Sequence, residues 1–186
     1  MKKNNTHALV LSGMLSVIAF FLSFIEFAVP FLPPFLKFDF TFIPIFFALL
    51  TLGYKNAMLV AFLKDLLHFL FLSHEPTGAI ANLLVEFIFL TTFMFFYKKN
   101  NKNIIFGGVL ATIFITIFMS LVNYFVLLPL YGYIMNLGDI VKNVKTIISI
   151  GIIPFNILKG VLLIILFFLT KNILKSIPKN LLKNFN

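Results

Sequence analysis

The residues with the most chemistry to offer lie in Gly151-Ile152-Ile153-Pro154-Phe155-Asn156-Ile157-Leu158-Lys159-Gly160, where a proline, an amide and an ammonium interrupt an apolar run from about Thr146 to Thr170. Such a run is long enough to cross a bilayer, which takes about 20 residues. A lysine at the centre of a spanning helix costs about 2.5 to 3.5 kcal/mol on insertion scales, so it demands a partner, a watery cavity or a ligand. Asn156 and Lys159 are three apart and therefore share one helical face. The expectation is that this face looks into a substrate cavity whose other walls the rest of the chain supplies.

Other costly groups recur along the chain: Glu26, Lys64-Asp65 with His68 one turn on, Asn82 with Glu86 one turn on, and Asn123-Tyr124. Each has two readings. Lys64 and Asp65 are either a structural ion pair or, because adjacent helical residues point to different faces, partners of groups on other helices. His68 is a packed, hydrogen-bonded histidine or a proton relay. Glu26 sits at headgroup level or in the site. Asn82 is helix-to-helix glue or pocket lining, and Glu86 can reach Lys64 or Lys159. An amide beside an aromatic, as in Asn123-Tyr124, can grip a planar ring by its edge and its face.

What is missing narrows the chemistry. No G-x-x-x-x-G-K-[ST] sequence is present, so ATP is not handled by that route, and there is no H-E-x-x-H. Ser12, Ser16, Ser120 and Ser149 have no base in view for a serine hydrolase. With no cysteine there is neither a disulfide framework nor a thiolate site. The chain reads as a non-enzyme with no cofactor and no metal.

The elements that must position these groups follow from composition. Of 186 residues, 61% are hydrophobic and only 11% charged, with 27 phenylalanines, and the mean hydropathy is +1.06. Soluble domains carry about 25% charged residues, so this is an integral membrane protein. No polar segment is long enough for a soluble domain, and residues 1–186 read as one membrane-embedded substrate-binding domain. The net charge of +9 comes from lysines at the ends of apolar segments, where topology explains them better than nucleic acid does.

Apolar runs place helices at Ala8–Val29, Thr41–Leu52, Ala57–Leu72, Ala79–Tyr97, Ile104–Leu128 and Thr146–Thr170, an all-α bundle of six transmembrane helices with no strand alternation. The first run is too long for a signal peptide. Ala8, Ser12 and Ser16 form a small-residue stripe on it, suited either to packing within the chain or to a partner helix. Pro30-Phe31-Leu32-Pro33-Pro34 breaks the chain into an apolar loop, residues 30–40, that suits an extracellular lid better than a free coil. Ser73 to Gly78 and Pro129 to about Lys145 read as connections, and residues 171–186 as a basic cytoplasmic tail able to lie at the interface.

Six crossings put both termini on one side. With that side cytoplasmic, inner segments hold Lys2, Lys3, Lys55, Lys98, Lys99, Lys102, Lys171, Lys175, Lys179 and Lys183, and outer segments only Lys37, Lys142 and Lys145. Nearly all the costly groups then share the outer half of the membrane, with Asn156 and Lys159 near the middle of the sixth helix, the pattern of a site open to the outside.

Several of these motifs resemble, in order, those of the riboflavin-specific S components of energy-coupling factor (ECF) transporters. They are Leu36-Lys37-Phe38-Asp39-Phe40-Thr41 with Ile43-Pro44, Leu63-Lys64-Asp65, Thr77-Gly78 with Ala81-Asn82, Leu121-Val122-Asn123-Tyr124 with Leu127-Leu128-Pro129, and Ile153 to Gly160. The resemblance implies a bacterial cell-membrane protein that captures riboflavin from outside. It also implies partners, a transmembrane coupling protein and two cytoplasmic ATPases. Asn123, Asn156 and Lys159 would hydrogen-bond the flavin, with Tyr124 and Phe155 near its rings and Lys64, Asn82 and Asp39 lining the pocket. Ala8, Ser12 and Ser16 would face the coupling protein. The alternatives left open are riboflavin phosphate or another analogue as ligand, and a stand-alone ion-coupled vitamin or small-molecule carrier using Lys64, Asp65 and Glu86.

Overall fold

A computed structural model describes residues 2–73, 76–99, 104–134 and 143–176. Among these are six helices: α1 (Lys2–Leu22), α2 (Phe42–Thr51), α3 (Tyr54–His68), α4 (Pro76–Lys99), α5 beginning as Ile104–Val122, and α6 beginning as Val144–Ile147. Three stretches are long and apolar enough to cross a membrane: Pro76–Tyr97, Ile104–Tyr133 and Val144–Ser176. The expected connections at 74–75 and 135–142, and the basic tail beyond Ser176, fall outside the described residues.

Two of the long helices are not regular throughout. The backbone of α5 widens into a π turn at Asn123–Leu127 before continuing as Leu128–Ile134, and that of α6 does the same at Ile148–Ile152 before continuing as Ile153–Ser176. Both widened turns end two residues before a proline, Pro129 or Pro154. A proline ring inside a helix clashes with the carbonyl four residues back and leaves it without a donor. One extra residue in the preceding turn relieves this: the Leu128 N–H bonds Asn123 O and the Ile153 N–H bonds Ile148 O, five residues back. A third π turn, Phe69–Ser73, extends α3.

The first helix stops at Leu22, short of the expected Val29. The Ser23 hydroxyl donates to Phe20 O at 2.6 Å, and Phe24 and Ile25 bond three residues back, tightening the chain out of the helix. The segment that follows corrects the expectation that no strand exists. Strands β1 (Phe27–Ala28) and β2 (Lys37–Phe38) pair antiparallel, with Phe27 opposite Phe38 and Ala28 opposite Lys37. Two successive β-turns close this hairpin, Val29 to Leu32 and Pro33 to Leu36, each with proline at its second position. The first has Phe31 at its third position with φ of 76°, the conformation of a type II turn that glycine usually fills. Asp39 Oδ1 then accepts both the Thr41 N–H at 2.9 Å and the Thr41 hydroxyl at 2.5 Å, turning the chain into α2.

Chain contacts divide the protein into two compact units. One holds the described residues of 1–26, 39–74 and 163–186, the other those of 27–38 and 75–162. In the first, α1, α2 and α3 pack mutually, and Phe46 meets Phe167 of α6 edge-on at 5.4 Å. Between α2 and α3, Gly53 adopts φ of 88°, and its N–H and that of Leu52 both bond Ala48 O. In the second, α4 packs on α5 through Gly107, where a β-carbon would come within 3.0 Å of Phe96 Cβ. Side chains such as Phe21, Phe95, Ile105, Phe114 and Phe125 are exposed, which only a lipid surrounding tolerates on this scale. Hydroxyls on α5 turn inward instead: Thr112, Thr116 and Ser120 each donate to the carbonyl four residues back.

Candidate functional site

The second unit gathers six of the eight residues expected at the substrate site: Asn82, Asn123, Tyr124, Phe155, Asn156 and Lys159. Lys159 is 5% exposed, and its ammonium donates to Asn82 Oδ1 of α4 at 3.2 Å while lying 5.6 Å from the centroid of the Phe155 ring. Residues 155 and 159 are one helical turn apart, so the cation sits over the aromatic face of its own helix. The Phe155 ring also meets Phe38 of β2, with centroids 4.7 Å apart and planes at 47°. Hairpin, α6 and α4 thus converge on one group: an aromatic pair, an ammonium and an amide.

Asn156 is 3% exposed and donates from Nδ2 to Ile152 O at 2.8 Å, the last carbonyl of the π turn. Asn123 does the equivalent on α5: it is buried, opens the other π turn, and donates to Met119 O at 2.8 Å. The two π turns pack against each other, which brings Asn123 to the stretch of α6 that leads into Asn156. Buried amides in an apolar medium need partners. Each meets part of that need from its own helix and is fixed in orientation by it. Tyr124, next along the wider turn, is 39% exposed, and its ring is edge-on to Phe125 at 4.9 Å. Among the described residues, no ring contact joins it to the aromatic pair.

The first unit holds the remaining two. Asp39 is occupied in starting α2, as above. Lys64 is 2% exposed and pairs with Asp65 Oδ1 at 2.6 Å. Of the two readings given for Lys64 and Asp65, the ion pair between neighbours is present: the four-carbon stem of lysine is long enough to fold back to the next residue. Asp65 Oδ2 is buried and has no hydrogen-bond partner among the described residues.

In the stripe Ala8, Ser12 and Ser16, the two serines pack within the chain, one of the two readings given for them. Ser12 and Ser16 are 0% and 1% exposed. The Ser12 hydroxyl donates to Ala8 O and lies 3.3 Å from Asn56 Oδ1 of α3, and Ser16 donates to Ser12 O. Small side chains here let α1 and α3 approach within the chain. The outward face of α1 is instead Leu9, Val10, Met14, Val17 and Phe21.

Some participants carry no sequence signal of their own. Phe38 is one phenylalanine among 27, and only the hairpin register puts it on Phe155. Leu36 and Ile152 complete that buried cluster, with Val29, Leu32, Phe35, Ile147 and Ile148 packed around it. Phe35 also reaches the Tyr131 ring, at 5.3 Å. Gly160 permits the close crossing of α5, because a β-carbon there would overlap the Thr112 side chain.

Comparisons with known proteins fit this geometry. Residues 7–170 match the family model for the ECF transporter, substrate-specific component. The chain is 48% identical over 163 residues to the riboflavin transporter RibU of Staphylococcus aureus (strain TCH60), covering 87% of this chain and 86% of that one. It is 34% identical over 167 residues to the riboflavin transporter FmnP of Bacillus subtilis (strain 168), covering 86% and 87%. A solved structure, described as the S component of a bacterial ECF transporter, superposes with a TM-score of 0.79 at 43% identity, over 92% of this chain and 97% of that chain. Matched along nearly its whole length in sequence and fold, the chain belongs to the substrate-specific components of ECF transporters, membrane transport subunits and not enzymes.

Proposed function

We propose that this chain binds riboflavin as the capture subunit of a vitamin uptake transporter, with Phe155, Asn156, Lys159, Asn82, Asn123 and Tyr124 contributing to the site. The observation that carries the reading is the group formed by buried Lys159, Phe155 and Phe38 with half-buried Asn82. An isoalloxazine ring has large apolar faces and an edge of carbonyls and ring nitrogens, and this group offers it aromatic surface, a cation and an amide. The names of the relatives support the choice of vitamin.

In this reading the chain is a single membrane domain of six crossings in a bacterial cell membrane, with both termini cytoplasmic and the hairpin outside as a lid. The lysine distribution supports the orientation. A coupling protein and two ATPases supply energy that the chain's own motifs do not. The outward apolar face of α1, in place of the small-residue stripe, is the surface of that helix left for lipid or for the coupling protein.

Purified protein titrated with riboflavin and with its phosphate, read by quenching of flavin fluorescence, tests the assignment. Saturable one-to-one quenching is expected, weakened about 5- to 150-fold by Asn156→Ala, the equivalent of leaving a buried polar group unpaired at about 1–3 kcal/mol. Quenching by neither flavin refutes the assignment, and tighter binding of the phosphate changes the ligand.

A further inference from the structure

The hairpin is seated on α6 at one point where no side chain larger than hydrogen fits. A β-carbon on Gly151 would lie 2.9 Å from both Cγ and Cδ of Pro33, and 3.7 Å from Leu36 Cδ1. Gly151 is buried and lies inside the π turn Ile148–Ile152, one turn before Phe155. Pro33 cannot swing away, because its ring is tied to the backbone and it begins the second of the two β-turns. Anything larger at residue 151 therefore has to lift the hairpin or distort the turn. The same hairpin carries Phe38 to the Phe155 ring, so lifting it opens the aromatic pair.

We propose that Gly151 and Pro33 form the seat that holds the hairpin closed against Phe155, which makes Gly151 a positioning residue that sets how fast a bound flavin escapes. This rests on the riboflavin reading above. The extra residue that Pro154 forces into α6 is what turns Gly151 toward the hairpin, so the proline and the glycine act together.

Stopped-flow quenching on the full chain gives the dissociation rate of riboflavin for wild type, Gly151→Ala, Pro33→Ala, the double variant, and Gly13→Ala as a control whose β-carbon meets nothing within 4 Å. Gly151→Ala is expected to speed dissociation about tenfold, as overpacking displaces the hairpin. Pro33→Ala removes the two atoms that collide, so in its background the added methyl should change the rate by less than about twofold. Gly13→Ala should match wild type. Dissociation from Gly151→Ala at the wild-type rate overturns the proposal, as does an equal effect of the methyl with and without Pro33. Should Gly151→Ala not fold, the double variant and Pro33→Ala still decide: the seat is refuted if Pro33→Ala releases flavin no faster than wild type. A wild type that binds no flavin refutes the functional reading itself, a separate outcome.

Discussion

Replacing Lys159 by methionine tests the site at its most expensive group. Methionine keeps most of the apolar stem and removes only the ammonium, so the packing of α6 against α4 changes little. Lost with the charge are a 3.2 Å hydrogen bond to Asn82 and the approach to Phe155 at 5.6 Å. In the complex the ammonium is expected to serve an acceptor on the flavin edge. A hydrogen bond from a charged group contributes about 1.5–3 kcal/mol, so riboflavin should bind about 10- to 150-fold more weakly. Titration by fluorescence quenching gives the affinity, and thermal unfolding in the same detergent gives the stability. A double-mutant cycle with Asn82→Ala shows whether the two still act together when flavin is bound, where a coupling above about 0.5 kcal/mol is expected. Affinity within threefold of wild type for Lys159→Met, with the fold intact, refutes the argument that a buried ammonium is kept for the ligand.

Three further outcomes are expected. Ser12→Leu forces a large side chain between α1 and α3 and should destabilise the isolated protein by about 1–3 kcal/mol, seen as a lowered melting temperature without any partner present. Lys64→Met alone leaves Asp65 buried without its cation and should cost about 3–5 kcal/mol, whereas Lys64→Met with Asp65→Leu should recover most of that loss, both read from unfolding curves. Phe31→Gly removes a side chain from a left-handed backbone position, relieving about 1 kcal/mol, and limited proteolysis within 29–36 should slow or stay equal. Faster cleavage would show that the Phe31 side chain holds the turn in a way its exposure does not suggest.

The sequence made some of this legible and hid the rest for identifiable reasons. Lysine and asparagine in an apolar run are conspicuous by cost alone, and Lys159 and Asn82 do meet. The ends of α2, α5 and the proline-broken loop were marked by glycine, proline and charge. The side to which a small residue turns was not marked: Ser12 and Ser16 fit a partner helix or a neighbouring one equally well, and their hydroxyls are satisfied by their own backbone in either case. Pairing of Lys64 with Asp65 defeats reasoning from helical faces, because a flexible stem ignores the face on which its Cα sits. The hairpin escaped notice because two residues per strand show no alternation. The π turns escaped because a proline announces disruption without saying whether the helix kinks, stops or takes in one residue more.

That additional residue has a lasting effect on α5 and α6. A regular helix advances 100° per residue, so each insertion turns everything on one side of the widened turn by that angle relative to everything on the other. Asn156 and Lys159 follow one phase while Ile147 and Ile148, under the hairpin, follow another. Deleting one residue from Ile148–Ile152 would restore a continuous spiral and carry the two groups to unrelated sides of the membrane segment, leaving composition and hydropathy almost untouched.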